Sequence, residues 1–160
     1  MSTISCPVAA MPADDTEKPA ARMTLQGSLD DMGLLRPWID GLVTHYAIPS
    51  DTAFAIHLCL EEAVSNVIRH GYDCDPSHAV TVDYAIRETD LIEFTIEDHA
   101  RPFDPLAPEH VEEMAQPSAE DILRPGGRGI RLLRSFAGTL AYERLAGGNR
   151  LTIGFVLPHN

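Results

Sequence analysis

The sequence predicts a single domain of the α+β class, because stretches with a helical period and stretches with a strand period follow one another along the chain. Apolar residues recur at helical spacing through residues 54–70. Apolar and polar residues alternate in residues 80–87 and 91–98, as in half-buried strands. The length of 160 residues suits one domain, and a hydrophobic content of 44% is enough to build its core.

The first part of the chain is predicted to be a tail followed by a strand and a helix. Residues 1–21 are rich in small and polar residues without periodicity, so we expect a disordered tail ahead of a domain at residues 22–158. Residues 23–27 fit a first strand. Ser28 stands where an N-cap would precede a helix over residues 29–46.

A turn and a central helix are predicted next. Pro37 should interrupt the first helix or mark where its regular part begins. Residues 48–51 form a turn that supplies the cap of a second helix over residues 54–70. Gly71 should end that helix, because glycine tolerates the left-handed conformation. The apolar arc of the second helix consists of Ile56, Leu60, Ala63, Val64 and Val67.

Beyond the two alternating strands, the pattern predicts a lid, a helix and a hairpin. The stretch of about residues 104–125 is broken by prolines and has no firm pattern, so we predict a mobile lid there. A helix over residues 130–136 follows. Residues 139–144 and 150–157 fit two strands that a turn at residues 146–149 joins into a hairpin.

The composition makes nucleic acid an unfavourable partner. The chain carries 24 acidic and 12 basic residues, and its formal net charge of -12 opposes the binding of a polyanion. We therefore expect no direct nucleic-acid binding and a protein or small-molecule partner instead. Four arginines nevertheless crowd into one segment, which predicts either a local anion site or a balance of acidic neighbours. These are Arg124, Arg128, Arg131 and Arg134.

Other features predict a cytoplasmic location. No stretch approaches the roughly 20 apolar residues that a membrane-spanning helix needs. The N-terminus lacks both the basic start and the continuous apolar run of a secretion signal. The three cysteines, Cys6, Cys59 and Cys74, form no spaced metal pattern, and their odd number argues against a disulfide framework. We expect neither secretion nor membrane contact.

A polar stripe on the central helix is a candidate site. Glu62, Asn66 and His70 are spaced i, i+4, i+8, so they stack beside the apolar arc. Such groups are costly to desolvate without polar partners, and a ligand is the candidate partner. Asn66 offers a neutral oxygen suited to Mg2+, and Glu62 could accept a proton from an attacking hydroxyl or water. The alternative is a surface helix whose polar side chains face water and whose histidine caps the last carbonyls.

A carboxylate at the end of the second alternating strand is another candidate. Asp98 has the parity of the apolar residues of that strand, so its inward carboxylate requires hydrogen-bond donors. The exocyclic amine of a purine is one such donor. A neighbouring backbone N–H or a core tyrosine hydroxyl is the alternative.

A glycine-rich turn leads into the helix at residues 130–136. Gly126, Gly127 and Gly129 precede this helix, and backbone N–H groups at a helix N-terminus bind phosphate well. The helix dipole also favours negative charge at that end. Such a turn could equally be only a hinge.

In this order the motifs resemble the ATP-binding domain shared by gyrase B, histidine kinases and MutL, the GHKL superfamily. The similarity is greatest to its stand-alone branch, the anti-sigma factor serine kinases of bacterial partner-switching systems. The segments EEAVSN (residues 61–66), HGY (70–72) and PFDP (102–105) are characteristic of that branch. The resemblance covers about residues 23–158, nearly the whole domain.

The resemblance implies a fold and a set of roles. The family fold is a two-layer α/β sandwich with a mixed, mostly antiparallel sheet and helices on one face, the Bergerat-type ATP-binding fold. With ATP and Mg2+ bound, the family's general base falls on Glu62, its Mg2+ ligand on Asn66, and the acceptor of the adenine amine on Asp98. Further ATP contacts fall on His70, Ala100, Gly126, Gly127, Arg128, Gly129 and Thr152.

One position departs from the family pattern. Where the family usually has Asp-x-Gly-x-Pro-Phe, this chain has Ala100 in the place of the glycine. If that glycine serves a positive φ or a close approach to the base, alanine costs on the order of 1 kcal/mol there. Since about 1.4 kcal/mol is tenfold in binding, the departure bears on ATP affinity without deciding it.

The resemblance also implies an activity and partners. Members usually dimerise, hold a sigma factor inactive and phosphorylate a serine on an antagonist (anti-anti-sigma) protein that would otherwise displace the sigma factor. We therefore expect a homodimeric, Mg-ATP-dependent serine kinase with these two partners. Ala100 motivates an alternative, a non-catalytic binding module in which nucleotide is structural or absent. A sensor kinase fragment that phosphorylates histidine ranks last, because no two-helix dimerisation domain precedes the ATP-binding part.

Overall fold

A computed structural model describes residues 20–87, 90–107 and 127–158. A short 3-10 helix (Leu29–Asp31) precedes α1, and a π-helical turn (Val67–Gly71) continues α2. The helices and strands are β1 (Arg22–Gln26), α1 (Met32–His45), α2 (Ser50–Asn66), β2 (Ala79–Arg87), β3 (Leu91–Asp98), α3 (Gly127–Phe136), β4 (Thr139–Leu145) and β5 (Gly148–Val156).

The five strands form one sheet in the order β1-β2-β3-β5-β4. Every pairing is antiparallel, so the predicted α+β fold is confirmed, and the described strands include no parallel pair. On the central strand β3, Ile92, Phe94 and Ile96 are buried under the helices, while the residues between them face the other side of the sheet. One face of the sheet therefore carries the core and the helices.

Helix α1 packs on the sheet through Leu35, Ile39 and Leu42, all of them buried. Ser28 caps the 3-10 helix before it, because its side chain accepts a backbone N–H. The prediction that Pro37 interrupts this helix or starts its regular part is wrong, since α1 runs through Pro37. Proline removes one helical hydrogen bond there, and the buried side chains on either side hold the helix by packing.

Helix α2 begins at Ser50, earlier than the predicted residue 54, and Pro49 is its N-cap. The Pro49 carbonyl accepts the first helical hydrogen bond from the Ala53 N–H, at 2.8 Å. Of the predicted apolar arc, Val67 is only half-buried, whereas Ile68 is fully buried. A π turn winds differently from an α-helix, so the α-helical projection does not extend past Asn66.

Gly71 ends the π turn, but the predicted reason is wrong. Positive φ occurs instead at Asp73 (49°) and Cys74 (60°), two and three residues later. A Cβ on Gly71 would lie 2.9 Å from the Cβ of Ala100. Glycine is required here because the end of the central helix packs closely against the loop that follows β3.

Two predicted segments fall largely outside the described residues: the tail at residues 1–19 and the lid from residue 108 onward. The described chain starts with Ala20, whose carbonyl accepts a hydrogen bond from Trp38 Nε1 at 2.9 Å. No helix in the described part is long and apolar enough to cross a bilayer.

Candidate functional site

Helices α2 and α3 bring the predicted acid-amide pair and one predicted glycine into contact. A Cβ built on Gly129 would lie 2.6 Å from Glu62 Oε2 and 2.9 Å from Asn66 Nδ2. No side chain therefore fits at position 129 without displacing these two groups. We call Glu62, Asn66 and Gly129 the α2–α3 contact.

The polar side-chain atoms of this contact have no partners among the residues that the structure describes. The side chains of Glu62 and Asn66 are half-buried, and neither forms a hydrogen bond or ion pair with the described residues. Ser65 Oγ donates to the Glu62 backbone carbonyl, at 3.1 Å, and not to the carboxylate. A carboxylate and a carboxamide held beside a core without partners suit a ligand that supplies them.

Cys59, one turn before Glu62, marks the packing of α2 on α3. The thiol is fully buried, and its Sγ lies 3.9 Å from the Leu132 carbonyl oxygen of α3. Burial raises the pKa of the Cys59 thiol to about 12, and the nearby Glu62 carboxylate adds to the rise. This thiol is therefore a packed core group, not a reactive one.

At the end of the stripe, His70 is exposed and its backbone carbonyl accepts a hydrogen bond from Arg101 Nη2 at 2.7 Å. The same region holds the π turn, an irregularity that occurs frequently at functional sites. His70 therefore lies where the central helix meets the loop after β3. Its imidazole remains a predicted, untested ligand contact.

Asp98 is only 6% exposed at the end of β3. Its Oδ1 accepts two hydrogen bonds, from the Ala100 backbone N–H and from Asn149 Nδ2, both at 2.8 Å. One oxygen thus has a neighbouring backbone donor, as the alternative interpretation predicted. Oδ2 has no hydrogen bond to the described residues, so it is the oxygen that a ligand could meet.

The core tyrosine near Asp98 bonds elsewhere. Tyr72 donates its hydroxyl hydrogen to the Ala79 carbonyl at 2.8 Å and accepts the His99 backbone N–H at 2.7 Å. Burial raises the pKa of Tyr72, the His99 N–H opposes that rise, and the Asp98 carboxylate adds to it. Tyr72 therefore anchors the chain after β3 and does not serve as the partner of Asp98.

Sequence reasoning missed Asn149, which it assigned to the turn of a hairpin. The strand β5 starts at Gly148, so Asn149 is a strand residue and pairs with Asp98 across the sheet. A Cβ on Gly148 would collide with the Asp98 carbonyl oxygen, so glycine lets β5 approach β3. Strand parity was the available signal, because Asn149 shares the inward parity of Leu151 and Ile153. We call Asp98 and Asn149 the β3–β5 pair.

Thr152 is not brought to this pair. It pairs with Thr95 of β3 and Ala141 of β4, and Thr95 lies on the opposite face of the sheet from Asp98. The structure therefore does not bring Thr152 together with Asp98, and its place near the adenine stays a prediction. A shift of one residue along a strand moves a side chain to the other face.

Ala100 does not adopt the positive φ that was one expected reason for a glycine in its place. It is buried, and its methyl group faces the position where Gly71 lacks a Cβ. Its carbonyl accepts a hydrogen bond from Arg144 Nη1 at 2.9 Å. No backbone strain follows from alanine here, whereas its effect on the approach of a base stays a prediction.

The glycine turn is described only in part. Gly126 lies outside the described residues, and α3 begins at Gly127, earlier than the predicted residue 130. Gly129 is therefore the third residue of the helix, and Arg128 also belongs to its first turn. The predicted phosphate contacts of Gly126, Gly127 and Arg128 remain predictions.

No group of three or more histidine, cysteine, aspartate or glutamate side chains in the described ranges could hold a metal ion. Mg2+ commonly takes few protein ligands and completes its shell with water and phosphate oxygens, so it does not require such a group. Asn66 in the α2–α3 contact has the donor chemistry for this role.

A family model for the histidine kinase-like ATPase domain matches residues 25–155. Serine/threonine-protein kinase BtrW of Bordetella bronchiseptica is 29% identical over 119 residues, which cover 72% of this chain and 79% of that protein. An anti-sigma F factor of Clostridium perfringens is 26% identical over 121 residues, 74% of this chain and 82% of that protein. An anti-sigma F factor of Anoxybacillus flavithermus is 34% identical over 88 residues, 54% and 56% of the two chains.

Solved structures share the fold. The RsbU and RsbW domains of a Mycobacterium tuberculosis protein match with a TM-score of 0.58 at 16% identity over 85% of this chain, which spans 31% of that longer chain. The histidine kinase domain of the Erythrobacter litoralis EL346 blue-light activated histidine kinase matches with a TM-score of 0.51 at 19% identity, over 80% and 60% of the two chains. At these sequence identities, the structural similarity supports a shared fold and nothing more.

Proposed function

The chain belongs to the histidine kinase-like ATPase domain family, and on this premise we propose that it is an ATP-dependent protein serine kinase that also acts as an anti-sigma factor. The observation that carries the proposal is the α2–α3 contact. The side chains of Glu62 and Asn66 have no hydrogen-bond partner among the described residues, and they pack against Gly129, where any side chain would displace them. Relatives named as a serine/threonine kinase and as anti-sigma F factors support the same activity.

The polar groups of the site suit Mg-ATP. Asp98 Oδ2 would accept the adenine amine, and the Asn66 amide oxygen would bind Mg2+. Bound Mg2+ would offset the negative charge that develops on the phosphate oxygens during transfer. The start of α3 would add backbone N–H groups and the positive end of the helix dipole on the phosphate side.

Glu62 would act as the general base. It would accept the proton of a serine hydroxyl while the serine oxygen forms a bond to the γ-phosphorus and the bond to the β-phosphate oxygen breaks, leaving ADP. The half-buried carboxylate has no counter-ion among the described residues, so it is available for this proton. Close packing of Gly129 would limit water on one side of the carboxylate.

We further propose a cytoplasmic homodimer with two protein partners, a sigma factor and an antagonist that carries the target serine. The support is the family and the two kinds of relatives, one named as a kinase and the other as anti-sigma factors. The formal net charge of -12 favours protein partners over direct nucleic-acid contact. Phosphate added to the antagonist would weaken its binding by charge repulsion from such an acidic chain.

The deciding experiment is phosphate transfer to the antagonist. The antagonist is first identified by capture on the full chain and mass spectrometry, then incubated with radiolabelled ATP, Mg2+ and either the unaltered protein or Glu62→Gln. We expect serine labelling by the unaltered protein, and a loss of about 100-fold or more in Glu62→Gln with ATP binding retained. Glu61→Gln is the matched control, because Glu61 bonds Arg36 at 2.8 Å on the adjacent surface.

Equal labelling by Glu62→Gln and the unaltered protein would reject Glu62 as the base. A second candidate function, a non-catalytic binding module, is favoured by Ala100 in the place of the family's glycine. Calorimetry with ATP and with ADP separates the two functions. No detectable heat with either nucleotide at high protein concentration would support the binding module and reject the kinase.

A further inference from the structure

Asn149 is buried between Asp98 and the loop that follows it. The side chain is 6% exposed, and its Nδ2 donates to Asp98 Oδ1 at 2.8 Å and to the Arg101 carbonyl at 3.0 Å. The Ala100 carbonyl lies 3.4 Å from the same nitrogen. One amide group thus holds both the carboxylate at the end of β3 and the backbone of the next residues.

The other end of the same amide is equally occupied. Asn149 Oδ1 accepts hydrogen bonds from Tyr142 Oη at 2.7 Å, from the Phe103 backbone N–H at 3.2 Å and from Arg144 Nη1 at 3.2 Å. Three donors at this oxygen fix which end of the amide faces Asp98. A flipped amide would set its oxygen against the carboxylate and its NH2 against three donors, so one orientation is strongly preferred.

This orientation determines what Asp98 can offer a ligand. Its Oδ1 is filled by two N–H donors, from Ala100 and Asn149, which suits an ionised carboxylate that accepts and does not donate. Oδ2 remains as a fixed acceptor. A purine with an amino group at this point gains a hydrogen bond to a charged group, whereas a purine with a carbonyl group meets an acceptor and gains none.

We infer that Asn149 is a positioning residue that sets base specificity, by holding Asp98 as an acceptor of an exocyclic purine amine. The inference rests on the proposed function, since it concerns the nucleotide of the same site. Tyr142 and Arg144 act on Asp98 only through Asn149 and the adjacent loop. They belong to β4, the edge strand of the sheet, so this strand supports the part of the site that would bind the purine ring.

The test compares ATP with purine riboside triphosphate, which lacks the exocyclic amine. We expect the unaltered protein to bind ATP tighter by on the order of tenfold. In Asn149→Ala this preference should fall to near unity, with the affinity for purine riboside triphosphate little changed. A purely structural role for Asn149 would weaken both nucleotides by the same factor, and that result would overturn the inference.

Hydrogen exchange of the nucleotide-free protein gives an independent measurement. The Ala100 and Phe103 amides, which donate within this network, should exchange on the order of tenfold faster in Asn149→Ala. Unchanged exchange would also overturn the inference. If the unaltered protein binds neither nucleotide, the proposed function fails, while the exchange rates still decide whether Asn149 holds Asp98 and its loop.

Two more variants distinguish the loss of this hydrogen-bond network from a general loss of the fold. Tyr142→Phe removes one donor to Asn149 Oδ1 without removing the ring, so a smaller loss of ATP preference in the same direction is expected. Arg150→Gln is the matched control. Arg150 is the next residue on β5 and pairs with Glu97 and Glu143, away from Asp98, so its change should leave the ATP preference unaltered.

Discussion

The α2–α3 contact and the β3–β5 pair handle their polar groups in opposite ways. In the α2–α3 contact, the side chains of Glu62 and Asn66 have no hydrogen-bond partner among the described residues. In the β3–β5 pair, Asn149 uses both ends of its amide, and Asp98 accepts two hydrogen bonds on one oxygen. The side chains of the α2–α3 contact therefore need a ligand to supply their hydrogen-bond partners. Those of the β3–β5 pair are already hydrogen-bonded in the free protein.

Because of this difference, substitutions in the two groups should affect stability and activity separately. An unbonded polar side chain contributes little to folding, so its removal should affect chemistry alone. A buried, bonded carboxylate contributes to both, because its loss leaves donors unsatisfied. Substitutions in the two groups should therefore leave different signatures in stability and in rate.

The largest expected effect is in Gly129→Ala. The added methyl group would lie within 3 Å of Glu62 Oε2 and Asn66 Nδ2, so both side chains must swing away. A displacement of about 1 Å at reacting groups can cost on the order of 100-fold in rate, and we expect such a loss of phosphate transfer.

The stability of Gly129→Ala should change little, since the ends of flexible side chains can move and alanine favours a helix. Gly33→Ala is the matched control, because nothing lies within 4 Å of a Cβ on Gly33 in α1. It should stabilise the fold by about 0.5–1 kcal/mol and leave the rate unaltered. Thermal denaturation and initial rates of phosphate transfer, measured on the same samples, test both expectations. Equal rates for both variants would contradict the assigned geometry.

Asp98→Ala should lower both stability and ATP affinity. The change leaves the Ala100 N–H without its acceptor and removes one acceptor from Asn149. We expect a loss of about 1–3 kcal/mol in the free energy of unfolding in urea, with ATP binding weakened in calorimetry. Glu97→Ala, one residue earlier on the other face, loses a part-exposed pair with Arg150 and should cost about 0–1 kcal/mol. Equal losses in the two variants would contradict the comparison.

The last expected effect, which is confined to alkaline pH, is a dependence of stability on the ionisation of Cys59. Burial raises its pKa from 9.0 to about 12, so the unfolded thiol ionises before the folded one. The contribution to stability is complete below pH 9.0 and is lost as the pH rises toward about 12, by on the order of 1 kcal/mol per pH unit. Urea unfolding from pH 8 to 11 should therefore show a steeper decline in the unaltered protein than in Cys59→Ala.

Alkylation extends this prediction to the α2–α3 contact. At neutral pH iodoacetamide should modify the exposed Cys74 and spare Cys59, as read by peptide mapping. Because Cys59 packs against the Leu132 carbonyl of α3, its modification requires α3 to separate from α2. Mg-ATP should slow that modification further. A Cys59 rate equal to that of Cys74 would show that the two helices are not packed as described.

Sequence periodicity determined the kinds of elements and the polar stripe. Alternation placed Asp98 on the inward face of β3, and helical spacing placed Glu62 and Asn66 on one side of α2, because these positions depend only on local geometry. The order of motifs was enough to predict the family and the α+β fold. Boundaries were less accurate, as at Pro37 and Ser50, since packing holds residues in a helix that their own preferences would end.

Contacts between residues of different elements depend on how the strands and helices pack. The register of β5 against β3 sets Asn149 beside Asp98 and turns Thr152 to the other face. The approach of α3 to α2 makes Gly129 a packing glycine against Glu62. Such contacts join residues far apart in the chain, and no local pattern fixes their register or distance. Local sequence thus supplies the chemical groups, whereas the packing of strands and helices brings particular groups together.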